Sequence, residues 1–230
     1  MPPRIVAGVV VRVSFLVALT AGLSPAQEAP TATEKADRAF ADLLSAAKKD
    51  PEKADWKALR HAFAETSRYH PYNIKWRDEL AAVREQIEAK RYKEAEAALD
   101  ALMEREGFMR LDAHGVATVL YDRSGQKDKL DFHSRFAQGI ASALFAPGRG
   151  LSIEKPIEVL FVDEEYLFLD ALELGRKRQA LREKDGHWID VQETKTRDGK
   201  DGDTFYFNID MPRGALQKML GGLKARRGEK

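Results

Sequence analysis

The stretch "APGRGLSIEKPIEVLFVDEEYLFL", residues Ala146–Leu169, is where the hydrophobic pattern of the chain changes. Before it, apolar residues recur every three to four positions, which is typical of amphipathic helices. Gly and Pro in Ala146–Ser152 indicate a hinge, and Ile157–Val162 is largely apolar on both faces, which favours a central strand. The pattern predicts an α+β fold, with tetratricopeptide-like helical hairpins at residues 35–147 and a small, mainly antiparallel sheet with flanking helices at residues 153–222.

The helical half is predicted to be an array of hairpins. In the segment Tyr92–Glu104, the small residue Ala95 follows the aromatic Tyr92 by three positions, a spacing typical of the second helix of a tetratricopeptide-type hairpin. Helical arrays of this kind present a concave face, so we expect a peptide or protein partner. The helical spacing covers Asp55–Ser67, Trp76–Ala89, Tyr92–Glu104, Leu111–Asp122 and Leu130–Phe145, after an earlier stripe from Phe40 to Ala47.

The sheet half is predicted from strand alternation and turn chemistry. The dipeptide Asp185-Gly186 is a strong two-residue hairpin signal between strands at Gln179–Glu183 and His187–Thr196. The segment Thr204–Asp210 alternates between polar and apolar residues and predicts a further strand. A closing helix is predicted at Gly214–Leu220.

The N-terminal residues predict export. Residues 1–26 combine basic residues, an apolar run at Val13–Leu23 and the small-residue ending "SPA", which is typical of a cleaved signal peptide. A run this short does not span a bilayer, so no stable membrane anchor is expected. Without a cysteine, the chain has no residue for lipoprotein acylation. We predict a periplasmic or secreted protein that starts at Gln27, with residues 27–34 as a flexible leader.

Charge and motif content argue against several classes of function. The chain has 38 Lys and Arg against 37 Asp and Glu, whereas a nucleic-acid-binding domain shows a strong basic excess. The basic tail at residues 223–230 is too short to change this. The sequence contains no GxSxG, Walker or GxGxxG motif and no nucleophilic cysteine. We therefore predict no catalytic residue, no cofactor and no nucleic-acid partner.

Metal binding is not predicted either. The five histidines lack the paired spacing of a metal motif such as HExxH. The stretch "RDGKDGD" (Arg197–Asp203) fails the register of a calcium loop, because Lys200 and Gly202 stand where oxygen ligands are needed. We expect a solvated hairpin loop there. His114 and His133 lie in neighbouring predicted helices and could meet; we interpret them as a structural pair rather than as ligands.

The acidic triplet Asp163, Glu164 and Glu165 has two interpretations. It could form an acid/base or metal cluster, or it could start a helix at Glu164–Leu174. In the second case Asp163 is the N-cap, where its side chain accepts a hydrogen bond from a free backbone N–H. The two glutamates then lie in the first turn, where negative charge meets the positive end of the helix dipole. We predict the helix start, because capping needs only local geometry.

Strand alternation predicts one candidate ligand-binding face on the sheet. We expect Ile189 and Val191 to share the core face with the apolar residues of Thr204–Asp210. The opposite face would then combine two aromatics, two carboxylates and an amide, which could bind a polar ligand. A solvated sheet face with ordinary cross-strand pairs explains the same pattern. The predicted ligand-binding residues are Trp188, Asp190, Tyr206, Asn208 and Asp210.

Several stretches together resemble a known bacterial family. They include "LDAHGVATVLYDRSGQKDKLDFHSRFAQGI", "IEVLFVDEEYLFLDALEL" and "EKDGHWIDVQE" followed by "FYFNIDMP". The resemblance, to the family called Domain of Unknown Function 4919, covers about Trp56 to Pro212. It implies an exported protein with a tetratricopeptide-like front and a small β-rich back, and it implies no activity. The chain departs from the family at "FAPGRGLS", where a glycine- and serine-containing turn is usual.

Two hypotheses of function follow. The first is a non-enzymatic interaction or scaffold protein that binds a peptide or protein in the cell envelope. The alternative is a hydrolase or small-ligand-binding enzyme that uses the sheet face with Asp190, Asn208 and Asp210.

Overall fold

A computed structural model describes residues 30–106 and 108–227. The predicted signal peptide at residues 1–26 lies outside the described residues, as do the first residues of the predicted leader. The described residues form eight helices and four strands, which confirms the predicted α+β fold with helices first and a small sheet after them. The helices are α1 (Ala32–Lys49), α2 (Trp56–Ala64), α3 (Trp76–Glu88), α4 (Tyr92–Arg105), α5 (Leu111–Ser124), α6 (Lys127–Leu144), α7 (Asp163–Ala171) and α8 (Asp210–Arg227), and the strands are β1 (Ile157–Glu158), β2 (Gly175–Lys184), β3 (His187–Lys195) and β4 (Asp201–Asn208).

The first six helices pack as three consecutive pairs, α1 with α2, α3 with α4 and α5 with α6. Helices α3, α4 and α5 share one apolar core around Trp76, and Ala95 is fully buried there. Helices α1, α2 and α6 share a second core around Phe63 and Phe136. In that core a Cβ atom on Gly139 would lie 1.9 Å from Trp56 Cε2, so only glycine lets α6 approach this ring.

The predicted leader is shorter than expected. Helix α1 begins at Ala32, because Thr31 and Glu34 form a capping box: the Thr31 hydroxyl accepts from Glu34 N at 3.2 Å, and the Glu34 carboxylate accepts from Thr31 N at 2.7 Å. Residues 32–34 are therefore the first helical turn. At the other end of the chain, the closing helix is longer than predicted, since α8 runs from Asp210 to Arg227 and includes residues 223–227 of the basic tail.

The sheet has the strand order β1-β4-β3-β2, with β4–β3 and β3–β2 antiparallel and β1–β4 parallel. Asp185 and Gly186 both have positive φ angles, of 52° and 81°, which confirms the tight hairpin turn between β2 and β3. The predicted central strand at Ile157–Val162 was wrong. Only Ile157 and Glu158 pair, at the sheet edge, while Leu160 and Phe161 turn away and fill the core of α1, α2 and α6.

The segment Ala146–Ser152 is attached to the sheet rather than free. Gly150 has a φ of +71°, its N–H donates to Lys155 O at 3.0 Å, and its carbonyl accepts from Tyr206 N in β4 at 2.8 Å. A side chain at Gly150 would meet Ile157 at 2.8 Å, so glycine is needed both for the conformation and for the close approach.

Candidate functional site

The acidic triplet at the start of α7 makes tertiary contacts and does not provide an N-cap. The N-cap is Val162, and no side chain caps the helix. Asp163 instead accepts from Arg77, with 2.9 Å between the nearest atoms, and from Arg110 at 3.2 Å. The prediction that Asp163 caps the helix was therefore wrong. The prediction that Glu164 and Glu165 lie in the first turn is confirmed, and Asp163 lies there with them.

Glu164 forms a buried, two-bond ion pair with Arg60 of α2. The two Arg60–Glu164 bonds measure 2.8 and 3.0 Å, and the side chains are 1% and 4% exposed. Glu164 also accepts from Leu160 N at 2.7 Å, and Arg60 donates to the Glu158 carbonyl at 2.9 Å. The pair joins the helical part of the molecule to α7 and satisfies the backbone between them, so its role is structural.

A second buried arginine lies next to this pair. Arg110 contacts Glu106 at 3.4 Å in addition to Asp163, and its guanidinium stacks over the rings of Phe161 and Trp76, with centroid distances of 3.8 and 4.5 Å. The first turn of α7 is thus held by two buried arginines from the helical region. Sequence reasoning missed both, because Arg60 and Arg110 look like ordinary surface charges in their helical patterns.

The register of the sheet divides the predicted ligand-binding face. Asp190 pairs with Phe207 and Val191 pairs with Tyr206, and paired residues lie on the same side of a sheet. Asp190 therefore shares a face with Phe207, and Trp188 lies on that face by alternation. Tyr206 and Asn208 lie on the opposite face with Ile189 and Val191. The predicted common face was wrong, because β3 is shifted by one residue relative to the pairing that we expected.

Asp190 is buried against Glu165 of α7. Gln192 Nε2 donates to Glu165 Oε2 and to Asp190 Oδ2, each at 3.0 Å. The exposed fractions of Glu165, Asp190 and Gln192 are 1%, 4% and 0%. Burial, followed by the Asp190 carboxylate, raises the pKa of Glu165 well above its ordinary value. Asp190 Oδ1 has no hydrogen-bond partner among the described residues, and the Asp190 carboxylate is the neighbouring group that favours a proton on Glu165.

A surface pocket of about 370 Å³ collects two imidazole–carboxylate pairs. His187 Nδ1 lies 2.6 Å from Asp210 Oδ2, and His61 Nε2 lies 2.8 Å from Glu158 Oε1. The Asp210 carboxylate raises the pKa of His187. The predicted residues Asn208 and Asp210 line this pocket, whereas the histidines were missed as site residues. The only signal was that His187 directly precedes Trp188, a residue of the predicted ligand-binding face.

His114 and His133 do meet, as the sequence suggested. Their Nδ1 atoms lie 3.0 Å apart, and His114 Nε2 lies 3.0 Å from the Phe108 carbonyl. Burial lowers the pKa of His114 to about 3 and that of His133 to about 4, so both rings are neutral near pH 7. Among the described residues no group of three or more His, Asp or Glu side chains is arranged to hold a metal ion. The pair fills the core, stacked on Phe136 and Tyr121.

A larger groove of about 590 Å³ lies between α3 and α5. Val116, Val119 and Leu167 provide apolar surface, and Val119 is 45% exposed. Arg84 and Arg123 also line the groove; Arg123 pairs with Glu88 at 2.7 Å, whereas Arg84 has no ion-pair partner in the described part of the chain. A Cβ atom on Gly115, in the same groove, would meet nothing within 4 Å.

Comparison with protein-family models, with curated proteins and with solved structures gave no match. The resemblance to Domain of Unknown Function 4919 and the relationship of the helical pairs to tetratricopeptide repeats therefore stay predictions. Within residues 30–106 and 108–227, no helix is both long enough and apolar enough to cross a membrane.

Proposed function

We propose that the protein is an exported, non-enzymatic interaction module that binds a peptide segment of a cell-envelope protein in the groove between α3 and α5. The open apolar groove between two neighbouring helices of the array is the observation that supports this most directly. Its volume of about 590 Å³ falls in the range of about 300–1,000 Å³ that is usual for ligand sites, which combine apolar walls with a few polar groups.

The residues of the groove favour a particular kind of peptide. The exposed Val119 offers a contact for an apolar side chain, and burying it on binding would be favourable. The guanidinium of Arg84 is available for a carboxylate, either of an acidic side chain or of a chain end. We therefore expect a short segment with at least one apolar and one acidic group.

Gly115 allows a direct test of the groove. The variant Gly115→Phe places a ring in the empty space above this helix position, and we expect it to weaken capture of the peptide partner by tenfold or more. The matched control Gly115→Ala adds one methyl group and should keep binding. It should also stabilise α5, by about 0.5–1 kcal/mol, because glycine is unfavourable inside a helix.

The measurement is photo-crosslinking from position 119 in a cell-envelope extract, followed by titration of the captured peptide against purified wild type and both variants. Thermal unfolding of each variant shows that the fold is retained. Equal affinity of the wild type and Gly115→Phe would show that the peptide does not occupy the groove.

A hydrolase or ligand-binding role is a second candidate, supported by the two imidazole–carboxylate pairs in one pocket. An imidazole that is hydrogen-bonded to a carboxylate can transfer a proton to or from a substrate as a general acid or base. The face originally predicted for this role does not exist as one surface, but Asn208 and Asp210 remain in the pocket. This candidate predicts turnover of at least one p-nitrophenyl ester, phosphate or glycoside. It also predicts that His187→Gln lowers kcat/KM by about 10²–10⁴; a wild-type protein without turnover on the whole panel would count against it.

A further inference from the structure

Exposed apolar side chains gather where α8 meets the segment before α3. Ile74 is 88% exposed, Tyr72 43%, Met219 55% and Leu220 47%. Tyr72 and Met219 line one cavity of about 550 Å³ between this segment and α8. Large side chains of this kind, brought together at one place, indicate a contact surface rather than isolated exposure.

Only part of the surface of α8 packs against the rest of the protein. Met211 and Ala215 pack against the core of α1, α2 and α6. Met219 lies one turn beyond Ala215 on the same side of the helix, and Leu216 and Leu220 lie next to this row; all three are partly or largely exposed. The apolar surface of α8 therefore extends beyond the part that packs on the core.

The charge of this helix differs from that of the rest of the protein. The chain as a whole is nearly neutral, with 38 basic and 37 acidic residues. From Met211 to Arg227 the sequence contains no Asp or Glu, and its basic residues are Arg213, Lys218, Lys224, Arg226 and Arg227. Basic residues next to an exposed apolar stripe are the composition of helices that lie in the interface of an anionic membrane.

We propose that α8, together with Tyr72 and Ile74, binds the surface of an anionic phospholipid membrane. The apolar side chains insert at the level of the headgroups, and the positive charge of the α8 sequence attracts the lipid phosphates. The contact is peripheral and reversible, since it combines a few apolar side chains with electrostatic attraction and no spanning segment. This surface is separate from the groove between α3 and α5, so the two proposals can fail independently.

The experiment is co-sedimentation of the purified protein, residues 27–230, with vesicles. One set contains phosphatidylglycerol and phosphatidylcholine in equal parts, and the other contains phosphatidylcholine alone. We expect partitioning at least tenfold stronger on the anionic vesicles, with a marked loss at 0.5 M salt, because salt screens the basic residues.

Two variants separate the apolar from the electrostatic part. Met219→Ser with Leu220→Ser, and separately Arg226→Gln with Arg227→Gln, should each weaken binding to the anionic vesicles by about tenfold. Leu181→Ser is the control, because Leu181 is an exposed apolar residue, at 52%, on β2. Equal binding to both vesicle sets, no binding to either, or full binding by both double variants would overturn the proposal. So would sedimentation-velocity data in which the same apolar stripe instead mediates a dimer.

Discussion

The variant Arg60→Met is expected to lower the free energy of unfolding by about 3–5 kcal/mol, because it leaves the Glu164 carboxylate buried without a cation. Glu164 is 4% exposed, so water cannot replace the guanidinium. The Glu158 carbonyl loses its donor at the same time. Urea unfolding followed by circular dichroism measures the change.

Two companion variants make this result specific. In Arg60→Met combined with Glu164→Gln, the buried charge is absent and the amide oxygen can still accept from Leu160 N, so most of the lost stability should return. Arg178→Met removes an exposed ion pair with Glu193, in which the arginine is 73% exposed, and we expect it to leave the free energy of unfolding almost unchanged. If the free energy of unfolding of Arg60→Met lies within about 1 kcal/mol of the wild-type value, the buried pair does not hold α7 in place.

The second large effect is a fall in stability with rising pH that depends on Glu165. The pKa of Glu165 is raised in the folded protein above its ordinary value of 4.5, by burial and by the Asp190 carboxylate. Between these two pKa values the folded state therefore holds a proton that the unfolded state has released. The stability from this proton is complete below pH 4.5 and is lost as the pH rises through the raised pKa, at up to about 1.4 kcal/mol per pH unit.

Glu165→Gln tests this directly, because the amide keeps the shape and a donor for Asp190 but does not titrate. We expect the variant to be more stable than the wild type above pH 8. Between pH 5 and 9, its free energy of unfolding should lose most of the dependence on pH that the wild type shows. Glu183→Gln, at an exposed position of β2, should leave the slope unchanged. If the free energy of unfolding of the wild type and that of Glu165→Gln fall equally with rising pH, a group other than Glu165 is responsible for the pH dependence.

Sequence reasoning predicted most of the fold because the signals were local. Each predicted helix is present, and the Asp185-Gly186 turn has the backbone angles that this dipeptide favours. The predicted strand at Ile157–Val162 failed for a nonlocal reason: its residues are buried, as their composition requires, but they enter two cores instead of one sheet. Burial alone does not distinguish these outcomes.

The candidate site was less predictable, since it depends on register and on distant pairs. A shift of one residue between β3 and β4 moved Asp190 from the expected ligand face into the interior. The partner of Glu164 lies 104 residues away, at Arg60, and no local pattern marks such a pairing. His61 and His187 likewise line the same pocket only because α2, β3 and α8 border it.

Successive residues of α7 reach different parts of the protein: Asp163 and Glu164 contact arginines of the helical region, Glu165 contacts the sheet, and Leu167 lines the groove. The described residues from Thr31 onward accordingly form one compact unit. Replacement of the helical half by that of another protein would therefore leave the carboxylates of α7 buried without their arginine partners. We expect this unit to unfold in one cooperative transition.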